Sequence, residues 1–195
     1  MSNEVSREKA FDMLSTYTKN KNLIKHGLVV EAVMKHFATL NNEDVEKWGI
    51  IGLIHDVDYD MYPDEHCTKC KDIMQEHGFS EEYIYAVQSH GYGLCSEVEP
   101  IHIMEKILYT IDELTGLILA VALMKPNKSL FEVDLGSVKK KWKQKGFAAG
   151  ANREVIQNGA NMLGMDLDYI IEETINGMRN IASEIGLDGT STNMI

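Results

Sequence analysis

Proline and cysteine are scarce, three of each in 195 residues. An odd number of cysteines, in a chain long enough to bury its own core, argues against a disulfide framework and for free thiols in a reducing compartment. Long hydrophobic runs are missing as well. The longest, Leu114 to Met124, has eleven residues and contains Gly116, whereas about 20 are needed to cross a bilayer, so it reads as a buried helix and no membrane is expected as a partner. The opening Met1-Ser2-Asn3-Glu4-Val5 lacks the apolar core of a secretory leader, which makes the cytoplasm the expected location. The two-residue alternation of β-strands, internal repeats and low-complexity tracts are likewise lacking. Finally, positive charge is in deficit: 19 Lys and Arg against 30 Asp and Glu give a net charge of −11, which speaks against nonspecific binding to DNA or to an anionic membrane.

What is present favours helix. Hydrophobic residues make up 44% of the chain, and the eleven Met stand beside abundant Leu, Ile, Ala, Glu and Lys, a composition suited to an all-α globule. The periodicity predicts helices over Arg7–Tyr17, Leu23–Leu40, Glu43–Ile54, Pro63–His77, a short one from Ser80 to His90, a long one from Glu99 to Met124, and three more near Gly136–Lys145, Asn152–Leu163 and Leu167–Ile185. Residues 1–125 form the expected main domain, and 126–195 a helical extension packed on it. Charge is uneven along the chain. Residues 125–153 hold eight Lys and Arg and two acids, leaving eleven basic and 28 acidic residues elsewhere, so a basic patch sits on an acidic body.

Three helices carry chemistry-bearing residues at positions that should face the interior. His55 and Asp56 follow the apolar stretch ending in Ile54, where an unpartnered imidazole and carboxylate would be costly. Asp112 stands on the ridge Ile101, Leu108, Asp112, Thr115, Leu119, otherwise mainly apolar. His26 opens the apolar face of the helix over Leu23–Leu40. Imidazoles and carboxylates converging on one interior suit Mn, Fe, Co or Zn. A hydrogen-bonded helix end is the simpler reading of His55-Asp56 taken alone.

The order His26, His55-Asp56, Asp112, with Gly-Ile-Ile-Gly-Leu-Ile-His-Asp-Val-Asp-Tyr over residues 49–59, resembles the HD superfamily of metal-dependent phosphohydrolases. The resemblance spans roughly residues 20–125 and is closest to small bacterial predicted hydrolases built on a bundle of about five helices. This chain has Val57-Asp58 where some branches carry Ile and Gly or a close equivalent. The resemblance implies one ion held by His26, His55, Asp56 and Asp112. A second would be held by His66, His90 and a bridging Asp56, unless those two histidines merely cap helices. The implied cofactor is one or two divalent metals (Fe, Mn, Zn, Co or Ni, with Mg also compatible). The implied partner is a nucleotide or another small phosphorylated metabolite, and the chain itself would be a monomer or homodimer.

In the reaction so implied, a metal-activated water attacks the phosphorus. Asp56 is central, His66 or His90 is available as general acid if one ion binds, and Asp58 or Glu113 could orient ligands or water. A di-iron oxygenase of related ligand order and a non-catalytic metal or nucleotide sensor are the alternatives. His36, His77 and His102 are too distant along their helices, or rotated off the relevant face, and are assigned to surface or packing. Cys67-Thr68-Lys69-Cys70 is a competing zinc or redox signal that lacks a paired second half. His90-Gly91-Tyr92-Gly93 reads as a flexible bend beside the site. Lys139, Lys140, Lys141, Lys143 and Lys145 either form a solvated helix face, with Val138, Trp142 and Phe147 packed inward, or bind substrate phosphate, for which Lys139, Lys140 and Lys143 are the candidates. The run from Lys140 to Arg153, which includes most of these lysines, also resembles a motif of the predicted-hydrolase branch.

Overall fold

The computed structural model describes residues 5–190. Among these the fold is all-α, and the only β-type pairing is an isolated bridge between Tyr92 and Ser96. The helices are α1 (Arg7–Tyr17), α2 (Lys21–Asn41), α3 (Val45–Ile54), α4 (Lys69–Glu76), α5 (Glu81–Ser89), α6 (Ile103–Leu123), α7 (Leu135–Trp142), α8 (Arg153–Leu163) and α9 (Leu167–Arg179). Short 3-10 turns lie at Pro63–Glu65 and Leu130–Glu132.

Side-chain caps set most of the helix starts. Ser6, Asn20, Asp44, Asn152 and Asp166 each accept a hydrogen bond from the first turn of the helix they precede, relieving donors that the helix leaves unpaired. Asn42 closes α2 in the left-handed conformation, at φ 56°. Its small polar side chain tolerates that region better than most.

Two glycines let α2 and α3 approach closely, which is what brings the site together. A Cβ on Gly27 would lie 2.7 Å from the Leu53 carbonyl oxygen, and one on Gly52 would meet Met34 Cγ at 2.8 Å and the Val30 carbonyl oxygen at 3.0 Å. Real side-chain carbons do not sit that close, so the interhelical distance depends on hydrogen at both positions. His26 adjoins one of these glycines and His55 lies three residues beyond the other. The long helix α6 runs against α2, and its far side carries α8. A single core cluster draws on buried residues from every helix, α1 to α9.

Three predicted boundaries shift. The segment Pro63–His77 is not one helix: a 3-10 turn ends at Glu65, and α4 starts only at Lys69. The break is set from outside the segment: the Asp58 carboxylate takes the hydrogen bond of the Cys70 amide, and Cys67 adopts φ 63°. The long helix begins at Ile103 rather than Glu99. Pro100 disfavours helix at Glu99, and a capping box joins His102 to Glu105. Ile101, placed on the buried ridge from sequence, precedes this helix and is 68% exposed. The last helix ends at Arg179 and continues as turns to Gly186.

Candidate metal centre

Six side chains from five segments converge. His26 comes from the second turn of α2, His55 and Asp56 from the end of α3, His66 from the loop before α4, His90 from the end of α5, and Asp112 from the middle of α6. On one side, His26 Nε2 lies 2.8 Å from Asp112 Oδ1 and 3.1 Å from His55 Nε2. His55 Nε2 is 3.3 Å from Asp112 Oδ1 and 3.4 Å from Asp56 Oδ2. On the other side, the Nε2 atoms of His66 and His90 are 3.2 Å apart, and each is 3.5 Å from Asp56 Oδ1. Asp56 thus turns one carboxylate oxygen to each group.

Hydrogen bonds on the far side of three rings fix what faces inward. His55 Nδ1 donates to the Gly52 carbonyl at 2.8 Å and His90 Nδ1 to the Val87 carbonyl at 2.5 Å. A carbonyl can only accept, so in the neutral rings the proton sits on Nδ1 and Nε2 carries a lone pair. His66 Nδ1 pairs in the same way with the Asp58 carboxylate at 2.8 Å. His66, His90 and Asp56 Oδ1 therefore meet acceptor against acceptor, as do His55 and the two carboxylates, while His26 can present an Nε2–H to Asp112 Oδ1 at 2.8 Å. A cation or added protons would reconcile the remaining lone pairs. Their spacing suits a metal, because ligands about 2.0–2.1 Å from a tetrahedral ion stand roughly 3.3 Å from one another. Three overlapping sets could each hold a metal ion: His26, His55 and Asp112; His55, Asp56 and His90; and His66 and His90 with the adjoining Cys67 thiol.

The metal-free electrostatics express the same demand. Burial opposes charge on His55, but the Asp56 and Asp112 carboxylates outweigh it and hold the imidazole well above its ordinary value of 6.5. Burial would raise Asp56 and Asp112, yet the adjacent imidazoles keep both well below the usual carboxylate range. His66 is pulled down by burial and up, to a net rise, by Asp58 and Asp56.

The centre forms the floor of a cleft of 580 Å³. His55 lies behind that floor and is fully buried. Leu23, Tyr59, Leu94, Ala148, Ala151 and Val155 build much of the wall, and Glu113 adds a carboxylate. Burial raises Glu113 above the usual 4.5, against the lowering effect of a hydrogen bond from the Asn152 amide. That bond, at 2.9 Å, ties α6 to the start of α8. No Lys or Arg lines the cleft among the described residues. Lys139 instead pairs with Asp168 on α9 at 2.5 Å, Lys141 lies over the Phe147 ring, and neither Lys140 nor Lys143 reaches the cleft wall.

Of the run from Lys140 to Arg153, which the sequence left without a role, the second half acquires one. Ala148, Gly150 and Ala151 form part of the cleft wall, and the Arg153 guanidinium binds the carbonyls of Phe147, Ala148 and Ala151 to hold that loop closed. Three histidines lie apart from the centre: His36 pairs with Glu173, His77 bonds the Ile73 carbonyl, and His102 caps α6. Sequence reading did not find Tyr59, whose ring meets His66 edge-on at 4.9 Å, or Cys95, which lies on the cleft rim. Nothing in their spacing announces either role.

Fold and site together define an all-helical protein with a candidate centre for one or two metal ions. The chain matches no family model, no curated protein and no solved structure.

Proposed function

We propose that this protein is a metal-dependent phosphohydrolase of the HD type, acting on a nucleotide or another small phosphate ester. The observation that carries the reading is the division of Asp56, with Oδ2 beside His26 and His55 and Oδ1 beside His66 and His90. The resemblance in ligand order supports the same class. Divalent ions, when bound, would supply Lewis acidity toward a phosphoryl oxygen and a lowered pKa for water.

The chain's own residues do the rest. Gly52, Val87 and Asp58 orient three imidazoles through their Nδ1 atoms and keep Nε2 turned inward. Glu113, held by the Asn152 amide at the cleft wall, is placed to accept a proton from an attacking water. The apolar wall accommodates the organic part of the ester and limits competing water. With no Lys or Arg lining the cleft, the substrate's negative charge would be met by the histidines of the centre and by any cations that they and Asp56 held.

One observation favours a second reading. A cleft walled largely by apolar and small residues and free of Lys and Arg also suits an uncharged organic substrate, as a di-iron oxygenase would take. Purified protein loaded in turn with Mn, Co, Zn or Fe and assayed on a panel of phosphomonoesters and phosphodiesters separates the two. Phosphate release that Asp56→Ala abolishes supports hydrolysis. A loaded chain inert toward every ester while consuming oxygen in the iron form would support the second reading and overturn the first.

A further inference from the structure

Cys67 and Cys95 are 28 positions apart in sequence, yet their sulfurs lie 3.2 Å from each other. This is not the pairing that Cys67-Thr68-Lys69-Cys70 suggests. Cys70 is fully buried and its amide is bonded to Asp58, whereas Cys95 is exposed on the rim of the cleft beside His66 and His90.

Both thiols are held in place from their own backbones. Cys67 occupies the left-handed region at φ 63°, which is costly for a side-chain-bearing residue and persists only where surroundings enforce it. Its carbonyl accepts a hydrogen bond from Gln88 Nε2 at 3.0 Å. Cys95 belongs to a tight loop in which the amides of Leu94, Cys95 and Ser96 all donate to the Gly91 carbonyl, at 3.0, 3.0 and 3.1 Å. Gly91 also makes the room in which the sulfurs meet. A Cβ there would stand 2.4 Å from Cys95 Sγ and 2.5 Å from Cys67 Sγ, closer than any side chain tolerates. The bend at His90-Gly91-Tyr92-Gly93 is thus the seat of a thiol pair.

We propose that Cys67 and Cys95 are a redox modification site, closing to a reversible intramolecular disulfide when the chain meets a hydroperoxide. The exposed Cys95 sulfur attacks one oxygen of hydrogen peroxide, the O–O bond breaks, water leaves and Cys95 becomes a sulfenic acid. The Cys67 sulfur then attacks the Cys95 sulfur, expelling a second water as the S–S bond forms. Two thiols are oxidised, one peroxide is reduced to two waters, and both thiol protons end in water. The sulfurs must approach by only about 1 Å to reach the roughly 2.05 Å of a disulfide. Because Cys67 follows His66, closure draws on the loop that supplies this ligand. Metal held by His66 and His90 should then be bound about tenfold or more weakly, a consequence that rests on the metal-centre reading, as the linkage itself does not.

The test is a peptide map of the full chain after treatment with one equivalent of hydrogen peroxide, digested under denaturing, non-reducing conditions. Trypsin cleaves after Lys69, between Cys67 and Cys70, so the linkage is read without ambiguity. The expected result is a Cys67–Cys95 disulfide in the wild type and in Cys70→Ser, reversed by dithiothreitol, and lost in Cys95→Ser and in Gly91→Ala. A Cys67–Cys70 linkage, a Cys95–Cys95 linkage between chains, or Cys95 driven to sulfinic acid with Cys67 still a thiol would overturn it. Zinc or manganese retention is compared in the reduced and oxidised chains. Equal retention would overturn the coupling to His66, and a reduced chain that binds neither ion would count against the metal centre while the peptide map still decides the thiol pair.

Discussion

Asp56 faces both groups of imidazoles, so its substitution should weaken every ion the centre holds and be visible as a loss of metal-induced stability. The asparagine variant preserves shape while removing one of the centre's two carboxylates, and with it half of the negative charge offered to a cation. A ligand that binds only the folded chain stabilises it by RT ln(1 + [L]/Kd), about 2.7 kcal/mol at a hundredfold excess over Kd. In a chain of 195 residues each kcal/mol moves Tm by roughly 2–4 °C, so the wild type should gain roughly 5–11 °C. If Asp56→Asn weakens binding about a hundredfold, the same metal concentration equals Kd and yields only about 0.4 kcal/mol, a gain of about 1–2 °C. Thermal unfolding followed by circular dichroism, on chelator-stripped protein titrated with Zn or Mn, reads the difference. A wild-type Tm indifferent to every divalent ion, or an equal gain in Asp56→Asn, would refute the reasoning.

Three further outcomes are expected. In the stripped chain His55 is held above its ordinary 6.5 by Asp56 and Asp112, burial opposing, so its contribution to stability is complete below that value and is lost as pH rises through the raised one. The lowered Asp56 and Asp112 contribute above the ordinary 3.8 and lose that contribution as pH falls toward their depressed values. Stripped protein should therefore lose Tm on the alkaline side while metal-loaded protein gains it as protons cease to compete, and parallel pH curves for the two forms would contradict this. His90→Ala removes a ligand of one group only and should lower bound metal by about one ion per chain, measured by plasma emission, with unchanged stoichiometry as the contrary result. Gly159→Ala would place a Cβ 1.9 Å from Thr110 Oγ1 and 3.1 Å from the Thr110 Cα. The contact between α6 and α8 must then open, at a cost of about 1–3 kcal/mol in urea unfolding, and unaltered stability would show that α8 is not seated there.

The helices were legible where capping and periodicity agree. Arg7–Tyr17 coincides with α1, and the segment from Asn152 to Leu163 with α8 and its cap. They were illegible where a distant contact overrides the local pattern: the predicted helix over Pro63–His77 breaks at Cys67 because Asp58 reaches across to His66 and the Cys70 amide. Convergence of His26, His55, Asp56 and Asp112 could be read from helix faces, since each stood where an apolar face meets a polar residue. The placement of His66 and His90 could not, because one lies in a loop. The lysines illustrate the limit of charge counting. A run of like charge marks an exposed face, but which way that face looks is decided by packing, and here Lys139 turns to Asp168. The thiol pair was invisible for the same reason, as sequence proximity pointed to Cys70 and the fold selected Cys95.

Anomalous X-ray diffraction from a crystal of the metal-loaded chain tests the centre most directly. Two anomalous peaks are expected, one among His26, His55 and Asp112 and one beside His66 and His90, with an oxygen of Asp56 bound to each. A loaded crystal with no peak next to Asp56, or with metal held only by other residues, would contradict it.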